Sequence, residues 1–152
     1  MRKTIRFQVT LAAVVLLAIV IAGLVVYNQR STAAALAFGQ AMDTYNAPLA
    51  TAGQPPAPGE KTFPTAAARA TAANQQFVQV ANQYGLLLPG KTASYFAGLT
   101  AIDMGQTGSA ETYLRKVSDG SDAPLASLAK LALANLYQQL NRNSEEIGRA
   151  HV

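Results

Sequence analysis

From Val9 to Tyr27 the chain runs through 19 residues without a charge, and Arg2, Lys3 and Arg6 stand in front of that run. A helix rises about 1.5 Å per residue, so this stretch is long enough to cross a hydrocarbon core about 30 Å thick. Thr10 and Gly23 are its only weakly apolar members. Both are tolerated in a membrane helix, where backbone groups bond internally and a hydroxyl can bond back to the helix. Beyond the run only Arg30 appears before Lys61. The positive-inside bias therefore predicts a cytoplasmic N-terminus and places everything after Tyr27 outside the cytoplasm. A cleaved signal peptide is the competing reading, but its apolar region usually spans about 7–15 residues. Here the run is longer, and the only tidy cleavage site, Ala33-Ala34-Ala35, lies beyond a polar YNQRST stretch. Length favours an uncleaved anchor.

The charge pattern follows the same division. Of the net charge of +4, Arg2, Lys3, Arg6 and Arg30 supply all. Between Ser31 and Glu145, seven cations are matched by seven anions. A neutral region without a basic stripe gives little electrostatic reason to bind phosphate backbones, so nucleic-acid binding is not expected. The absence of cysteine excludes a disulfide framework and thiol chemistry.

The last seven residues, Glu146 to Val152, read EIGRAHV. That string resembles the translation of a sequencing-library adapter, so 146–152 is expected to be a non-native tail, to be set aside from fold reasoning. His151 is the only histidine. Without it the chain offers no His-based triad or metal set.

Between the ends, helical periodicity dominates and sustained period-two alternation is missing, which predicts an all-α fold. Ser31 to about Tyr45 is Ala-rich, with Phe38, Met42 and Tyr45 on one side. Residues 46–62 hold Pro48, Pro55, Pro56, Pro58, Gly53 and Gly59 and read as a loop. A second helix is predicted from Pro64 to Tyr84, with a stripe of Phe77, Val80, Ala81 and Tyr84, ended by Gly85 in a left-handed cap. A third starts near Thr92, presents Tyr95, Leu99 and Ile102, and ends at Gly105. A fourth starts at Thr107 or Ser109 and turns Ala110, Leu114 and Val117 to one face. A fifth starts at Asp122-Ala123-Pro124 and carries Leu125, Leu128, Ala129, Ala132, Leu136 and Leu140. Ser144 is placed to cap a sixth.

Gly98, Gly105, Ala110 and Leu114 are spaced 7, 5 and 4 apart. The spacing resembles the tetratricopeptide repeat, in which a small residue lets two helices approach, a turn residue follows, and an alanine packs back. Thirty-six residues later Ala134 answers Gly98 and Asn141 answers Gly105, with Tyr137 where the repeat favours an aromatic. The next key position, Glu146, departs from alanine. Together with the single N-terminal span, the segments FGQAMDTYNAPL, GQPPAPGEKTF, ANQYG, GKTASYFAGLTAIDMGQ and LASLAKLALANLYQQLNR look like those of a bacterial family. Its members are membrane-anchored tetratricopeptide proteins, ancillary subunits of the Sec translocon. The resemblance covers roughly Thr10 to Arg142. It implies a tail 1–8 in the cytoplasm, a transmembrane helix 9–27 in the bacterial inner membrane, and a periplasmic domain 28–145. That domain would be an α-solenoid fragment of antiparallel helix pairs, binding envelope or secretory proteins and translocon components. The cytoplasmic tail is shorter than the family's, and the downstream repeats are missing. The adapter-like tail and the missing repeats imply a C-terminally truncated scaffold, and because a solenoid needs about three repeats to bury a continuous core, this fragment is expected to be marginal alone.

One motif points elsewhere. Gly85-Leu86-Leu87-Leu88-Pro89-Gly90-Lys91-Thr92 satisfies the phosphate-loop pattern G-x-x-x-x-G-K-[ST], in which backbone amides and the lysine cradle phosphates and the threonine holds magnesium. Gly85, Gly90, Lys91 and Thr92 would be its working residues, in a phosphate- or nucleotide-binding protein. The motif requires a strand before it and a parallel sheet around it, and Phe77 to Tyr84 has helical spacing instead. A Gly-stopped helix, a Pro-Gly turn and a Thr-capped helix account for the same residues. Asp119 and Asp122 flank Gly120-Ser121 and read as turn and cap residues rather than acid/base partners. Tyr95 and Phe96, being adjacent, point to different sides of a helix. One belongs to a core, while the other, with Tyr137, is a candidate for lining a protein-binding groove. Gly98 reads as a site of close helix packing. The expectation is a scaffold with no enzymatic activity, cofactor, metal or small-molecule substrate, whose partners are proteins and the lipid around 9–27.

Overall fold

A computed structural model of the protein describes the backbone of residues 2–51, 58–59 and 61–150, and the side chains of 13–51, 58–59 and 61–141. The side chains of the 1–8 tail and of the 146–152 segment therefore lie outside the described residues, as does much of the Pro-rich part of the loop. Five helices follow in order: α1 (Arg2–Tyr45), α2 (Ala66–Tyr84), α3 (Leu88–Asp103), α4 (Thr107–Ser118) and α5 (Ala123–Ala150). The fold is all-α, with a long apolar N-terminal helix and then packed helix pairs. The chain divides into two compact units, Met1–Ala33 and Ala34–Val152.

In the first unit the large apolar side chains from Val14 to Tyr27 are all exposed. Such a face is stable only in an apolar surround. The helical stretch Ala13–Tyr45 contains an 18-residue window with a mean hydropathy of 1.9, and so has the length and composition of a membrane span or a signal sequence. The Ala-rich stretch from Ser31 to Tyr45 is the continuation of the apolar helix. α1 passes through YNQRST unbroken, since that stretch has no Pro or Gly, and Thr32 bonds back to the Asn28 carbonyl at 3.0 Å.

In the second unit, one core gathers four aromatic rings from three helices. Phe77 of α2 stacks on Phe96 of α3 at 5.2 Å between centroids, and Phe38 and Tyr45 of α1 close on both at 5.9–6.1 Å. Such ring pairs contribute about 0.5–1.5 kcal/mol each beyond their buried area. Ala41, Ala73 and Ala97 fill the gaps between them. A second core joins Leu114 and Val117 of α4 to Leu125, Ala129 and Leu133 of α5, roofed by Tyr95, Leu99 and Ile102 of α3. α3 thus lies between the two cores. Its small residues Ala93, Ala97, Gly98 and Ala101 are fully enclosed, and its larger ones only partly.

The helix ends show where local chemistry acts. Thr65 caps α2, accepting from the Ala68 amide at 3.0 Å, so the predicted start at Pro64 moves to Ala66, with Pro64 outside the cap. α3 begins at Leu88 rather than Thr92 because Pro89, in the first turn, has its φ preset and needs no N–H partner. It ends at Gly105, where φ is +70°. The Gly105 amide donates to Ile102 and the Gln106 amide to Ala101, which is the paired Schellman closure. Gly85 corrects the expectation of a left-handed cap: its φ is −59°, in the right-handed region. Only glycine fits there because a Cβ would stand 2.7 Å from the Ala81 carbonyl oxygen. Asp122 caps α5 by accepting from the Leu125 amide, and Asp119 ends α4, as their spacing predicts. α5 then continues to Ala150 without a sixth helix, and neither Asn141 nor Ser144 interrupts it. In the predicted α5 stripe Leu128 is exposed, and Leu133 takes the buried place.

Candidate interaction surface

Phe96 spends its ring in the aromatic core, while Tyr95 turns toward the α4–α5 core and meets Phe96 edge-on at 5.5 Å. Burial, and secondarily the neighbouring Tyr45, pushes the Tyr95 phenol above its ordinary pKa. Tyr137 is a surface residue bridging α5 to α4. Its hydroxyl donates to Glu111 Oε1 at 2.8 Å and accepts from Arg115 Nη2 at 3.1 Å. Glu111 and Arg115, one turn apart on α4, form an ion pair at 2.7 Å. Of the three candidate groove residues, Tyr95 and Phe96 are thus in ring contact and packed toward the two cores, and Tyr137 is held in the surface triad with Glu111 and Arg115.

What the fold does expose is the other flank of α5. Leu128 and Leu131, three residues apart, share a face and are 49% and 61% exposed, next to the buried row of Leu125, Ala129 and Ala132. Tyr137 lies about two and a half turns beyond Leu128, hence on the opposite flank. The apolar arc of α5 is wider than its present contacts cover. Leu86, at 94% exposure the barest large hydrophobic among the described residues, and Leu88 at the α2–α3 turn add apolar surface elsewhere.

Among the phosphate-loop residues, Gly85 follows α2 and Gly90, Lys91 and Thr92 lie inside α3. The residues ahead of Gly85 are helical, so the strand the motif requires is missing. The Leu87 amide is bonded to Tyr84 and the Lys91 amide to Leu87, while the Thr92 hydroxyl donates to the Leu88 carbonyl. Gly90 is wedged against the backbone, since a Cβ there would overlap the Tyr84 carbonyl. The string is a tight helix–turn–helix rather than an open cradle of amides.

Sequence reasoning missed the polar pins. Asn74 of α2 donates to the Ala97 carbonyl at 3.0 Å and to Thr100 Oγ1 at 2.9 Å on α3. Thr44 of α1, fully buried, lies 2.9 Å from Gln76 Oε1 and accepts from Lys61 Nζ at 2.9 Å. These partners are 17 to 32 residues apart, so no local pattern announces them. A cleft of about 550 Å³ opens beside Tyr45, Arg69 and Asp103. Arg69 Nη1 is fixed to the Ala47 carbonyl at 2.9 Å. Burial raises the Asp103 carboxyl above the ordinary aspartate range, against a smaller downward pull from Arg69. Among the described residues no group of three or more His, Cys, Asp or Glu is placed to hold a metal.

Comparison with protein-family models, with curated proteins and with solved structures gives no match for the chain. The class the structure defines is an all-helical protein with a long apolar N-terminal helix; no family is identified.

Proposed function

We propose that the protein is a non-enzymatic scaffold, anchored in a bacterial inner membrane through residues 9–27, whose tetratricopeptide-like helices bind other proteins on the periplasmic side beside the Sec translocon. The observation that carries this reading is the exposed Leu128–Leu131 flank of α5, an apolar strip continuous with a packed core. Soluble surfaces seldom leave such strips uncovered unless a partner takes them. The repeat-like spacing lends support, because its residues meet in space. Gly98 sits against Leu114 and Ala110, and Gly105 makes the left-handed turn between their helices. A fold of this kind does not by itself define an activity, so the reading rests on the surface and on the resemblance of the chain to that family.

The test is site-specific photocrosslinking in cells from Leu131, with a probe at Thr112 as control. Capture of translocon subunits or exported clients from Leu131 alone is the expected result. Recovery of the same bulk envelope proteins from both positions would refute the scaffold. Reporter fusions after Arg142 test the orientation, and activity on the cytoplasmic side would overturn it.

A further inference from the structure

The structure points to a small anion site where the phosphate-like motif meets the α4–α5 turn. A cavity of about 110 Å³ lies between Gly85, the start of α3, the end of α4 and the start of α5. Val117 and Leu125 line it with apolar side chains and Gly85 and Gly120 with bare backbone, while the buried Ser94 hydroxyl in the lining is turned to the Gly90 carbonyl. Lys91 and Lys116 line it from two different helices. Lys116 Nζ reaches to 4.0 Å from the position a Cβ on Gly85 would occupy. Neither ammonium has a hydrogen-bond or ion-pair partner among the described residues. The only acid in the lining, Asp122, already uses Oδ1 to cap α5.

Helix electrostatics account for one lysine and not the other. Lys116 lies in the last turn of α4, where a cation suits the negative end of the helix dipole. Lys91 stands near the N-terminus of α3, where a cation is disfavoured, and no acid in that turn offsets it. A residue that breaks the local rule without a compensating contact marks a site shaped by something other than the fold. Two unpaired cations beside the apolar Val117 and Leu125 suit an aliphatic group bearing a carboxylate. An apolar cavity of about 150 Å³ admits benzene, so this smaller one suits a branched chain of a few carbons. We propose that it binds a short aliphatic carboxylate, either a free acid or the C-terminal residue of a polypeptide. This ligand differs from the nucleotide that the G-x-x-x-x-G-K-T string suggests, and the site is independent of the α5 strip.

The experiment uses the full chain in detergent micelles, isotopically labelled, and follows the amide signals of Gly85 and Gly120 by NMR. The probes are 4-methylvalerate, its uncharged amide, the tripeptide Ala-Ala-Leu and that tripeptide amidated at its C-terminus. Saturable shifts at both glycines with at least one of the acids are expected, the corresponding amide binding about tenfold more weakly, as the loss of one charge-assisted contact implies. Which acid saturates identifies the source. In Lys91→Gln and Lys116→Gln, verified as folded by circular dichroism, the acid affinity should fall by about the same factor. Shifts that never saturate, amides that bind as well as acids, or folded variants that titrate like the parent would each overturn the proposal.

Discussion

Gly98→Ala tests the packing logic of the helical unit directly. A Cβ at Gly98 would stand 2.6 Å from Leu114 Cγ and 2.8 Å from Cδ2. Carbon pairs normally rest at about 3.5–4.0 Å, so α3 and α4 would have to separate by about 1 Å or Leu114 would have to turn. Leu114 is fully buried between Val117 and the α5 residues and has no space to retreat into. Overpacking of this kind costs about 2 kcal/mol. Alanine recovers about 1 kcal/mol through its better helix propensity, leaving a net loss of about 1 kcal/mol. For a unit of this size that lowers the midpoint by about 4 °C. Gly108→Ala is the matched control, since nothing lies within 4 Å of its added Cβ, and it should be neutral or stabilising by about 0.5 kcal/mol. The assay is thermal unfolding of the full chain in micelles by near-ultraviolet circular dichroism of the tyrosines. In a Leu114→Ala background the added methyl at 98 would fill space instead of clashing, so Gly98→Ala should turn stabilising there. If both glycine variants stabilise equally, or if the sign at 98 is indifferent to Leu114, the close-contact reading is wrong.

Other perturbations separate interior from surface. Asn74→Ala removes two pins between α2 and α3 and should cost about 2 kcal/mol, whereas Tyr137→Phe, at an exposed triad, should cost below about 1 kcal/mol, both read by the same unfolding assay. The pH dependence follows from Asp103. Its carboxyl is raised in the folded state, so the neutral form is favoured there, and stability falls as pH rises from 3.8 through the folded value. Asp103→Asn should flatten that fall in a midpoint-versus-pH series, and an unchanged slope would refute the assignment. Leu17→Arg with Ile21→Arg places two charges, each costing about 3 kcal/mol at mid-bilayer, in the apolar helix. Alkaline carbonate should then extract the chain from membranes that retain the parent.

How far the fold was legible depended on the range over which each residue acts. Gly105 was readable because a left-handed helix stop is a local event, and so was the Asp122 cap. Gly85 was not, because its requirement is proximity to the Ala81 carbonyl rather than its own φ. The periodicity of α5 located its apolar side but not the width of the buried arc. Leu128 and Leu133 both qualify by spacing, and only the neighbouring helices decide that Leu133 goes inside. Asn141 as a turn and Ser144 as the cap of a new helix failed because their preferences for leaving a helix are weak, and α5 runs through both. For the candidate surface the sequence supplied Tyr95, Phe96 and Tyr137 but not their separation among two cores and an exposed triad.

α3 gives the physical reason that one stretch of chain suggested so many functions. Its composition of Ala, Gly, Ser and Thr, with Tyr95 and Phe96 in the middle, is what a helix needs when neighbours approach from several sides. Small residues let α2 and α4 come close, and the adjacent rings divide between the two cores. The same demand for closeness places Gly90 against the Tyr84 backbone and Gly98 against the Leu114 side chain, so two of the glycines that mimic a motif or a repeat are explained by close packing alone. Thr92 is explained as well, since its hydroxyl returns to the Leu88 carbonyl. Lys91 is the residue left over: packing does not require it, the dipole of α3 opposes it, and no described acid pairs with it. Replacing it with glutamine should therefore leave the unfolding midpoint unchanged or slightly raised while weakening anion binding at Gly85 and Gly120. A midpoint lowered by several degrees would show that the lysine serves the fold instead.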